Sequence, residues 1–257
     1  MNKRLCERCH NQQKLEINIC AECLKDEMLS IIPESCPICC APITKGLESI
    51  CINCSEFKSQ GKNYIDDIIP ITYGINETFI SYIVRGHKYY NNNYYFVPLA
   101  SVLFKFLLSN SKKIIQKFGK FDYFTYIPSY KDQRKHNKNL MHSVKLKEFN
   151  IVDMLIEPKE HLKKQHMKMA ERKVEEDRYI IADGYSVNGK NILLYDDVCT
   201  SGSTIRSAAY PLKHNGANMV IGIVLFKQVY AEFRDNIVAF SRNHPFNYNE
   251  WKYDIIQ

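Results

Sequence analysis

Glycine and proline are scarce in this sequence, with 10 and 9 residues among 257, and tryptophan occurs once. So little of either residue argues against a fibrous repeat and against a disordered, low-complexity chain. Hydrophobic residues make up 45% and charged residues 25% of the chain, as in ordinary globular proteins. The length is sufficient to bury a sizeable core, either in one large domain or in one domain with a small appendage.

Long hydrophobic runs are also missing. The longest, such as residues 219–226, are far shorter than the roughly 20 residues of a membrane helix. The first residues, Met1 to Cys6, lead directly into polar ones, without the apolar stretch of a secretory signal. We therefore expect a cytoplasmic protein with no membrane insertion.

Cysteine, in contrast, is concentrated in the first 54 residues, which hold eight of the ten. These eight form four CxxC pairs: Cys6 and Cys9, Cys20 and Cys23, Cys36 and Cys39, Cys51 and Cys54. In a reducing compartment, pairs at nearly equal spacing favour metal ligation over disulfides or a set of buried or redox-active thiols. Two CxxC pairs together supply a tetrahedral zinc site without an open position, so we predict two structural zinc ions.

The four CxxC motifs could share the two zinc ions in either of two ways. Sequential sites would join the first pair with the second and the third with the fourth, which fits the repeat. A crossed arrangement would join the first pair with the third and the second with the fourth. Cys40 is a spare thiol in either case, and Cys199 belongs to a separate motif.

The chain divides into a cysteine-rich module over 1–57 and an α/β domain over 64–257. The polar stretch 55–63 is interpreted as a linker, and the module itself has almost no helical periodicity. Strands are predicted at 121–127, 178–182, 190–195 and 218–226. Helices are predicted at 94–109 and at 203–214. A further helix is predicted to begin after Asn76, with Phe79, Ile80, Ile83 and Val84 on one side. Strand, helix and strand in succession predict a βαβ unit and a mainly parallel sheet. The tail 228–257 gives no clear prediction.

The most specific motif follows the strand predicted at 190–195. Two adjacent carboxylates, Asp196 and Asp197, precede a loop of hydroxyl side chains around one glycine, and then a helix. The loop residues are Thr200, Ser201, Gly202, Ser203 and Thr204. Loop amides, hydroxyls and the helix N-terminus form a cradle for an anion, and the aspartates suit the vicinal hydroxyls of a ribose. The simpler alternative is a strand–turn–helix with ordinary polar capping. The length of the whole motif, from the strand to Thr204, argues against that alternative.

This string closely resembles the phosphoribosyl diphosphate (PRPP) motif of type I phosphoribosyltransferases. The resemblance implies that Asp196 and Asp197 bind the ribose hydroxyls and that Thr200 to Thr204 bind the 5-phosphate. It also implies a parallel sheet of the phosphoribosyltransferase kind. Magnesium would enter with PRPP, held by the pyrophosphate and ribose rather than by a protein cage.

The combination of CxxC pairs and this loop resembles the ComF family of competence proteins, over roughly 6–226. The resemblance implies a cytoplasmic accessory protein of DNA uptake in natural transformation, working with other DNA-uptake proteins. It assigns the pyrophosphate region to Lys88, Ser129, Arg134, Gln165 and Arg172. The chain departs from the family's Arg-Gly-Phe-Asn motif at 134–137, which reads Arg-Lys-His-Asn, and this departure concerns pyrophosphate rather than ribose-phosphate binding.

Positive charge is concentrated in residues 131–173, which hold twelve Lys and Arg against six Asp and Glu. A solvated helical face explains several of these side chains. The alternative is a basic surface that contacts pyrophosphate or single-stranded DNA, and this reading takes most of its support from the family resemblance.

Two functions therefore compete. The first is an accessory protein that binds PRPP or a related nucleotide, and the second is an active phosphoribosyltransferase that transfers ribose 5-phosphate to an unidentified acceptor. No general base or acceptor pocket stands out in the sequence, which favours the first. A zinc-ribbon transcription factor would leave the hydroxyl-rich loop without a role.

Overall fold

The computed structural model describes residues 20–44, 46, 49–75, 78–89, 93–128, 136–144, 146–153, 155–159 and 173–256. Its centre is a four-stranded parallel sheet formed by β1 (Asp67–Gly74), β2 (Tyr123–Tyr126), β5 (Asn191–Cys199) and β6 (Met219–Gln228), in the order β1-β6-β5-β2. A separate antiparallel pair joins β3 (Ile156–Pro158) to β4 (Tyr179–Ile181). The predicted α/β class with a mainly parallel sheet is therefore confirmed.

The helices, in chain order, are α1 (Ala21–Lys25), α2 (Ile52–Ser59), α3 (Phe79–Tyr89), α4 (Asn93–Phe118), α5 (His136–Ser143), α6 (Ser203–His214), α7 (Arg234–Asn243) and α8 (Lys252–Ile255). A short 3₁₀ turn at Ala231–Phe233 precedes α7. Helix α6 has the predicted bounds and connects β5 to β6, so the predicted βαβ unit is confirmed. In the described part of the chain, no helix combines the length and apolar character needed to cross a bilayer.

Strand β5 is longer than the sequence predicts, because it continues from 195 to Cys199 and includes both aspartates of the motif. Its apolar residues fill the two faces of the sheet: Leu193 and Tyr195 pack in one hydrophobic cluster, and Ile192 and Leu194 pack in another. Parallel strands buried on both faces read as continuous apolar runs, which explains why this region could be recognised.

Helix α3 buries Ile80, Ile83 and Val84, as predicted, while its proposed cap Asn76 lies outside the described residues. Helix α4 runs nine residues beyond the predicted end at 109, as far as Phe118. The polar residue Asn110 does not end it, because its amide donates to the carbonyls of Phe106 at 2.9 Å and Tyr248 at 2.6 Å. A polar residue that finds such partners can occupy a buried helical position.

The stretch 55–63 was predicted as a linker, and this is wrong for residues 55–59, which belong to α2. The buried Cys54 and Phe57 hold this helix against the rest of the molecule. Cys36 and Cys54 lie in the same hydrophobic cluster as Ile205 of α6. The cysteine-rich segment and the sheet therefore share a core.

The C-terminal tail, which the sequence could not place, packs across both parts of the molecule. Trp251 and Tyr248 join the cluster around α4, and Ile237 of α7 packs with Ile31 and Ile32 of the cysteine-rich segment. The tail therefore completes two hydrophobic clusters that residues far away in the sequence begin.

Candidate functional site

The junction where β5 ends and α6 begins has the strand–turn–helix geometry of an α/β ligand site. Gly202 caps α6 with a φ of 86°, in the left-handed region that favours glycine. The turn brings Asp196, Asp197 and residues 200–204, here called the hydroxyl loop, to the carboxyl edge of the sheet. In open α/β sheets, ligands bind at this edge.

The two aspartates are almost completely buried, with 8% of Asp196 and 2% of Asp197 exposed. The Oδ1 atom of Asp196 accepts hydrogen bonds from the Asn137 side-chain amide and from the backbone N–H of Asp197, both at 3.0 Å. Asn137 also donates to the carbonyl of Ile127 at 3.0 Å, so α5 is attached to the end of β2 as well. These contacts fix the carboxylate of Asp196.

Asn137 is a site residue that sequence reasoning did not select. It occupies the last position of the segment 134–137, the one that departs from the ComF motif, and the asparagine is the part of that motif retained together with the arginine. Its place within the motif-like segment 134–137 was the available signal, but only the fold brings it to Asp196.

The hydroxyl loop is internally hydrogen-bonded. Ser201 and Ser203 are 6% and 5% exposed, and the Ser201 hydroxyl donates to the Ser203 hydroxyl at 3.2 Å and accepts from the Ser203 backbone N–H at 3.3 Å. Thr200 and Thr204 are partly exposed. The loop therefore combines two ordered serines with two threonines at the surface, above the N-terminus of a helix of 12 residues. Such an end attracts anions.

Two buried cations lie beneath the loop, and no sequence pattern predicted either of them. Arg206 is 0% exposed and donates to the carbonyl of Gly202 at 3.3 Å through one terminal nitrogen. Lys227 of β6 is 2% exposed and donates to the carbonyl of Thr200. Burial opposes the charge of Lys227, but the sulfur atoms of Cys199 and Cys39 outweigh that effect and raise its pKa. Positive charge is thus fixed directly under the hydroxyl loop.

A group of four cysteines adjoins these cations. The Sγ atoms of Cys36, Cys39, Cys51 and Cys54, here called the cysteine cluster, all lie within 4.8 Å of one another, and all four residues are buried. The Sγ atoms of Cys39 and Cys51 are 3.6 Å apart. Zinc bonds to sulfur of about 2.3 Å give a tetrahedron with edges of roughly 3.8 Å, so the cluster fits a zinc ion.

The cysteine cluster brings together the third and fourth CxxC motifs, as the sequential pairing predicts and the crossed pairing does not. Cys20 and Cys23 lie near each other, with the Cys23 backbone N–H donating to the Cys20 Sγ atom at 3.5 Å. Their predicted partners Cys6 and Cys9 lie outside the described residues. The structure therefore supports one metal site, and the second stays a prediction.

The four thiols of the cysteine cluster differ in ionisation, because hydrogen bonds with Cys36 and Cys39 raise the pKa of Cys51 and of Cys54. Hydrogen bonds from the thiols of Cys36, Cys51 and Cys54 hold the pKa of Cys39 well below its ordinary value, although burial opposes this. Metal ligation needs deprotonated sulfur. The spare Cys40 is different, because burial raises the pKa of its thiol and keeps it neutral.

The predicted pyrophosphate residues are outside what the structure describes. Ser129, Arg134, Gln165 and Arg172 fall in the undescribed ranges, and Lys88 is described only as part of the backbone of α3. Of the cations in the basic segment 131–173, Lys138, Lys147, Lys159 and Lys173 are described, and Lys138 forms an ion pair with Asp153. Asp153 also accepts a hydrogen bond from the Tyr126 hydroxyl at 2.6 Å. Lys138 is therefore paired with a neighbouring side chain at the surface of the protein.

No protein-family model matches the chain, and no curated protein matches it. Among solved structures, the chain is similar to a hypoxanthine phosphoribosyltransferase from Staphylococcus aureus in two crystal forms. The tetragonal form has a TM-score of 0.31 and 14% identity, over 50% of this chain and 62% of that chain. The orthorhombic form has a TM-score of 0.32 and 13% identity, over 50% of this chain and 67% of that chain. The match to the first thus spans less than two thirds of that enzyme's length.

Proposed function

We propose that the protein binds PRPP, or a related ribose-phosphate ligand, between the end of β5 and the hydroxyl loop. We further propose that it acts as an accessory protein of DNA uptake, as its resemblance to the ComF family implies. One observation carries the first proposal. Two buried carboxylates, Asp196 and Asp197, directly precede a hydroxyl loop that a left-handed glycine turns onto a helix N-terminus.

The two parts of the site, the aspartate pair and the hydroxyl loop, are chemically complementary to a ribose phosphate. Carboxylates only accept hydrogen bonds, and vicinal ribose hydroxyls are donors. Asn137 fixes the carboxylate of Asp196 before any ligand arrives, so little side-chain freedom is lost on binding. The hydroxyl loop supplies donors to a phosphate, and the buried charge of Lys227 beneath Thr200 adds to the attraction.

Magnesium would accompany PRPP. Its ligands would be the pyrophosphate and ribose oxygens, because Mg²⁺ is commonly held by substrate phosphates with few protein ligands. The pyrophosphate itself would contact the region assigned by resemblance to Lys88, Ser129, Arg134, Gln165 and Arg172.

Calorimetric titration with PRPP and Mg²⁺ tests the site. Asp196→Asn and Asp197→Asn each remove a charged acceptor, so affinity should fall by about 10-fold to 100-fold, as expected for hydrogen bonds to a charged group. Asp183→Asn, at an exposed turn before β5, is the control and should leave affinity unchanged. If the wild-type chain does not bind PRPP, or if neither aspartate matters, the proposed site is wrong.

The alternative function is an active phosphoribosyltransferase. It would cleave the bond between the ribose C1 and pyrophosphate and transfer ribose 5-phosphate to a base or amine. Release of pyrophosphate from PRPP, measured with a panel of bases, separates the two functions. Robust turnover that Asp196→Asn abolishes would contradict an accessory role and support the enzyme.

Single-stranded DNA is the proposed macromolecular ligand, through the basic segment 131–173. Its net charge of +6 follows from twelve Lys and Arg against six Asp and Glu. Affinity should fall steeply with salt, and it should weaken when Lys163, Lys164 and Lys168 are replaced by glutamine. Lys213→Gln on α6 is the control for loss of one positive charge elsewhere. An affinity indifferent to salt and to the three lysines would contradict this proposal.

We propose two structural zinc ions, one in the cysteine cluster and one held by Cys6, Cys9, Cys20 and Cys23. Metal analysis of the full chain should then find two zinc ions per molecule, and Cys54→Ser should remove one. A content of one zinc ion in the intact wild type would contradict the second site. The proposed location is the cytoplasm, where thiols remain reduced, and other DNA-uptake proteins are the proposed protein partners.

A further inference from the structure

Arg206 contacts both the hydroxyl loop and the cysteine cluster, and Lys227 contacts the same loop from its position opposite Cys199. Arg206 donates to the Sγ atom of Cys54 at 3.1 Å, while another nitrogen of the same guanidinium reaches the carbonyl of Gly202 at 3.3 Å. Its Nε atom donates to Asn63 at 3.1 Å. Each nitrogen of this side chain thus has a described acceptor.

The guanidinium is planar and its donors are fixed relative to one another. A displacement of the Cys54 sulfur therefore changes the position of the nitrogen that holds Gly202. The ring of Phe57, 4.7 Å from the guanidinium carbon, leaves this group little room to adjust. Arg206 is a direct mechanical link between one cysteine ligand and the turn before α6.

Lys227 provides a second link. It lies opposite Cys199 in the pairing of β5 with β6, and its ammonium group donates to the carbonyl of Thr200. Cys199 packs in the same hydrophobic cluster as Cys39, Cys51 and Cys54 of the cysteine cluster. The two cations thus hold the carbonyls at both sides of Ser201, those of Thr200 and Gly202.

Charge balance makes this arrangement depend on the metal. Four thiolates around a divalent cation carry a formal charge of −2, which Arg206 and Lys227 together neutralise. Without the metal the four sulfur atoms are no longer held in one place, and Arg206 loses its fixed acceptor at Cys54. Buried charges are costly unless they are paired, so loss of the metal should displace both side chains.

We propose that Arg206 and Lys227 are positioning residues that couple metal loading of the cysteine cluster to the shape of the hydroxyl loop. A loaded cluster holds both cations, and the cations hold the backbone of the loop in the form that receives a phosphate. Metal loss releases the loop. The consequence for the ligand rests on the proposed function, whereas the coupling itself does not.

The first test is hydrogen–deuterium exchange on the full chain, with zinc bound and after chelation. Peptides that cover 199–206 should exchange at least 10-fold faster without metal, while a peptide from the centre of β6 is the internal reference. Unchanged exchange in 199–206 after complete metal removal would overturn the proposal. Equal acceleration in the β6 reference would also overturn it, because the effect would then be general unfolding.

The second test is the absorption of the full chain loaded with Co²⁺. Hydrogen bonds to a thiolate stabilise its lone pairs, so Arg206→Met should move the sulfur-to-cobalt charge-transfer band to longer wavelength. It should also speed metal loss to a chelator by about 10-fold, in the range typical of residues that support metal ligands. Arg206→Lys should restore part of the metal retention, and Lys213→Met on the same helix should change neither property. A wild-type band and wild-type release in Arg206→Met would overturn the proposal.

Lys227→Met extends the test if Arg206→Met does not fold, and it should speed metal loss in the same way. PRPP titration then separates this inference from the proposed function. Metal-stripped protein should bind PRPP at least 10-fold more weakly than loaded protein. If no form binds PRPP, the proposed function fails, and the exchange and cobalt results still decide the coupling.

Discussion

The ammonium group of Lys252 and the carboxylate of Asp67 form an ion pair whose side chains are only 1% and 5% exposed. Lys252 also donates to the carbonyls of Pro37 at 2.6 Å and Ile38 at 3.2 Å, the two residues between Cys36 and Cys39. A residue of α8 thus holds the third CxxC motif against the start of β1.

Replacement of Lys252 by methionine should therefore destabilise the whole molecule. The change leaves the Asp67 carboxylate buried without its cation, which typically costs about 3–5 kcal/mol. Urea unfolding measures this, with Lys112→Met at an exposed position of α4 as the control, expected to change stability by less than about 0.5 kcal/mol. The double variant Asp67→Asn, Lys252→Met should recover part of the loss. A loss below 1 kcal/mol in the single variant would contradict the role of this ion pair.

Gly202→Ala should be more harmful than the same substitution at Gly184, which also has a positive φ. A β-carbon at Gly202 would overlap a terminal nitrogen of Arg206 and lie 3.7 Å from the Cys199 sulfur. Gly184 has a similar φ of 85° with no atom within 4 Å of such a β-carbon. Both variants share the backbone strain of about 1–3 kcal/mol, so Gly184→Ala isolates that part. Calorimetric unfolding should show the larger loss for Gly202→Ala, and equal losses would mean that the contact with Arg206 is unimportant.

Asp122 should contribute to stability in a pH-dependent way. The backbone N–H of Asn191 and the ammonium group of Lys190 lower the pKa of its carboxyl below the ordinary value. A lowered pKa in the folded state stabilises the protein above the unfolded-state pKa of about 3.9, and the gain is lost as the pH falls through the folded-state pKa. Asp122→Asn should therefore cost up to about 1 kcal/mol at pH 7, since the site is well exposed.

Urea unfolding of wild type and Asp122→Asn at pH 7, 5 and 3 checks this expectation. The difference between the two should shrink on acidification and be smallest at pH 3. Asp235→Asn, in the first turn of α7, is a suitable comparison, because no described ion pair involves that carboxyl. A difference that is the same at all three pH values would contradict the assignment.

Local sequence patterns predicted the central βαβ unit because residues close together in the sequence determine each of its strands, its turn and its helix. The apolar run of β6, the glycine turn and the helix of 203–214 need no distant partner to be recognised. The same holds for the CxxC pairs, whose spacing alone indicates a metal site. The cysteine cluster could therefore be expected from the sequence, together with the position of Asp196, Asp197 and the hydroxyl loop.

Contacts between residues far apart in the sequence determine the features that local patterns did not predict. Helix α2 looked like a linker because its residues are mostly polar, and its burial comes from Cys54 and Phe57 alone. Helix α4 passes through Asn110 because Tyr248, far away in the chain, accepts its amide hydrogen. Arg206 and Lys227 resemble ordinary surface cations in the sequence, since neither is near a cysteine or an acidic residue that would mark it as buried.

The bond between Arg206 and Cys54 joins residues 152 positions apart. During synthesis, the cysteine cluster leaves the ribosome well before Arg206, Lys227 and Lys252 exist. A metal ion captured at that stage would sit in a site that carries uncompensated negative charge, open to exchange with water and other ligands. If the cluster binds zinc as proposed, it reaches its final metal affinity only when Arg206, Lys227 and Lys252 have folded onto it, and zinc retention would report that late folding step.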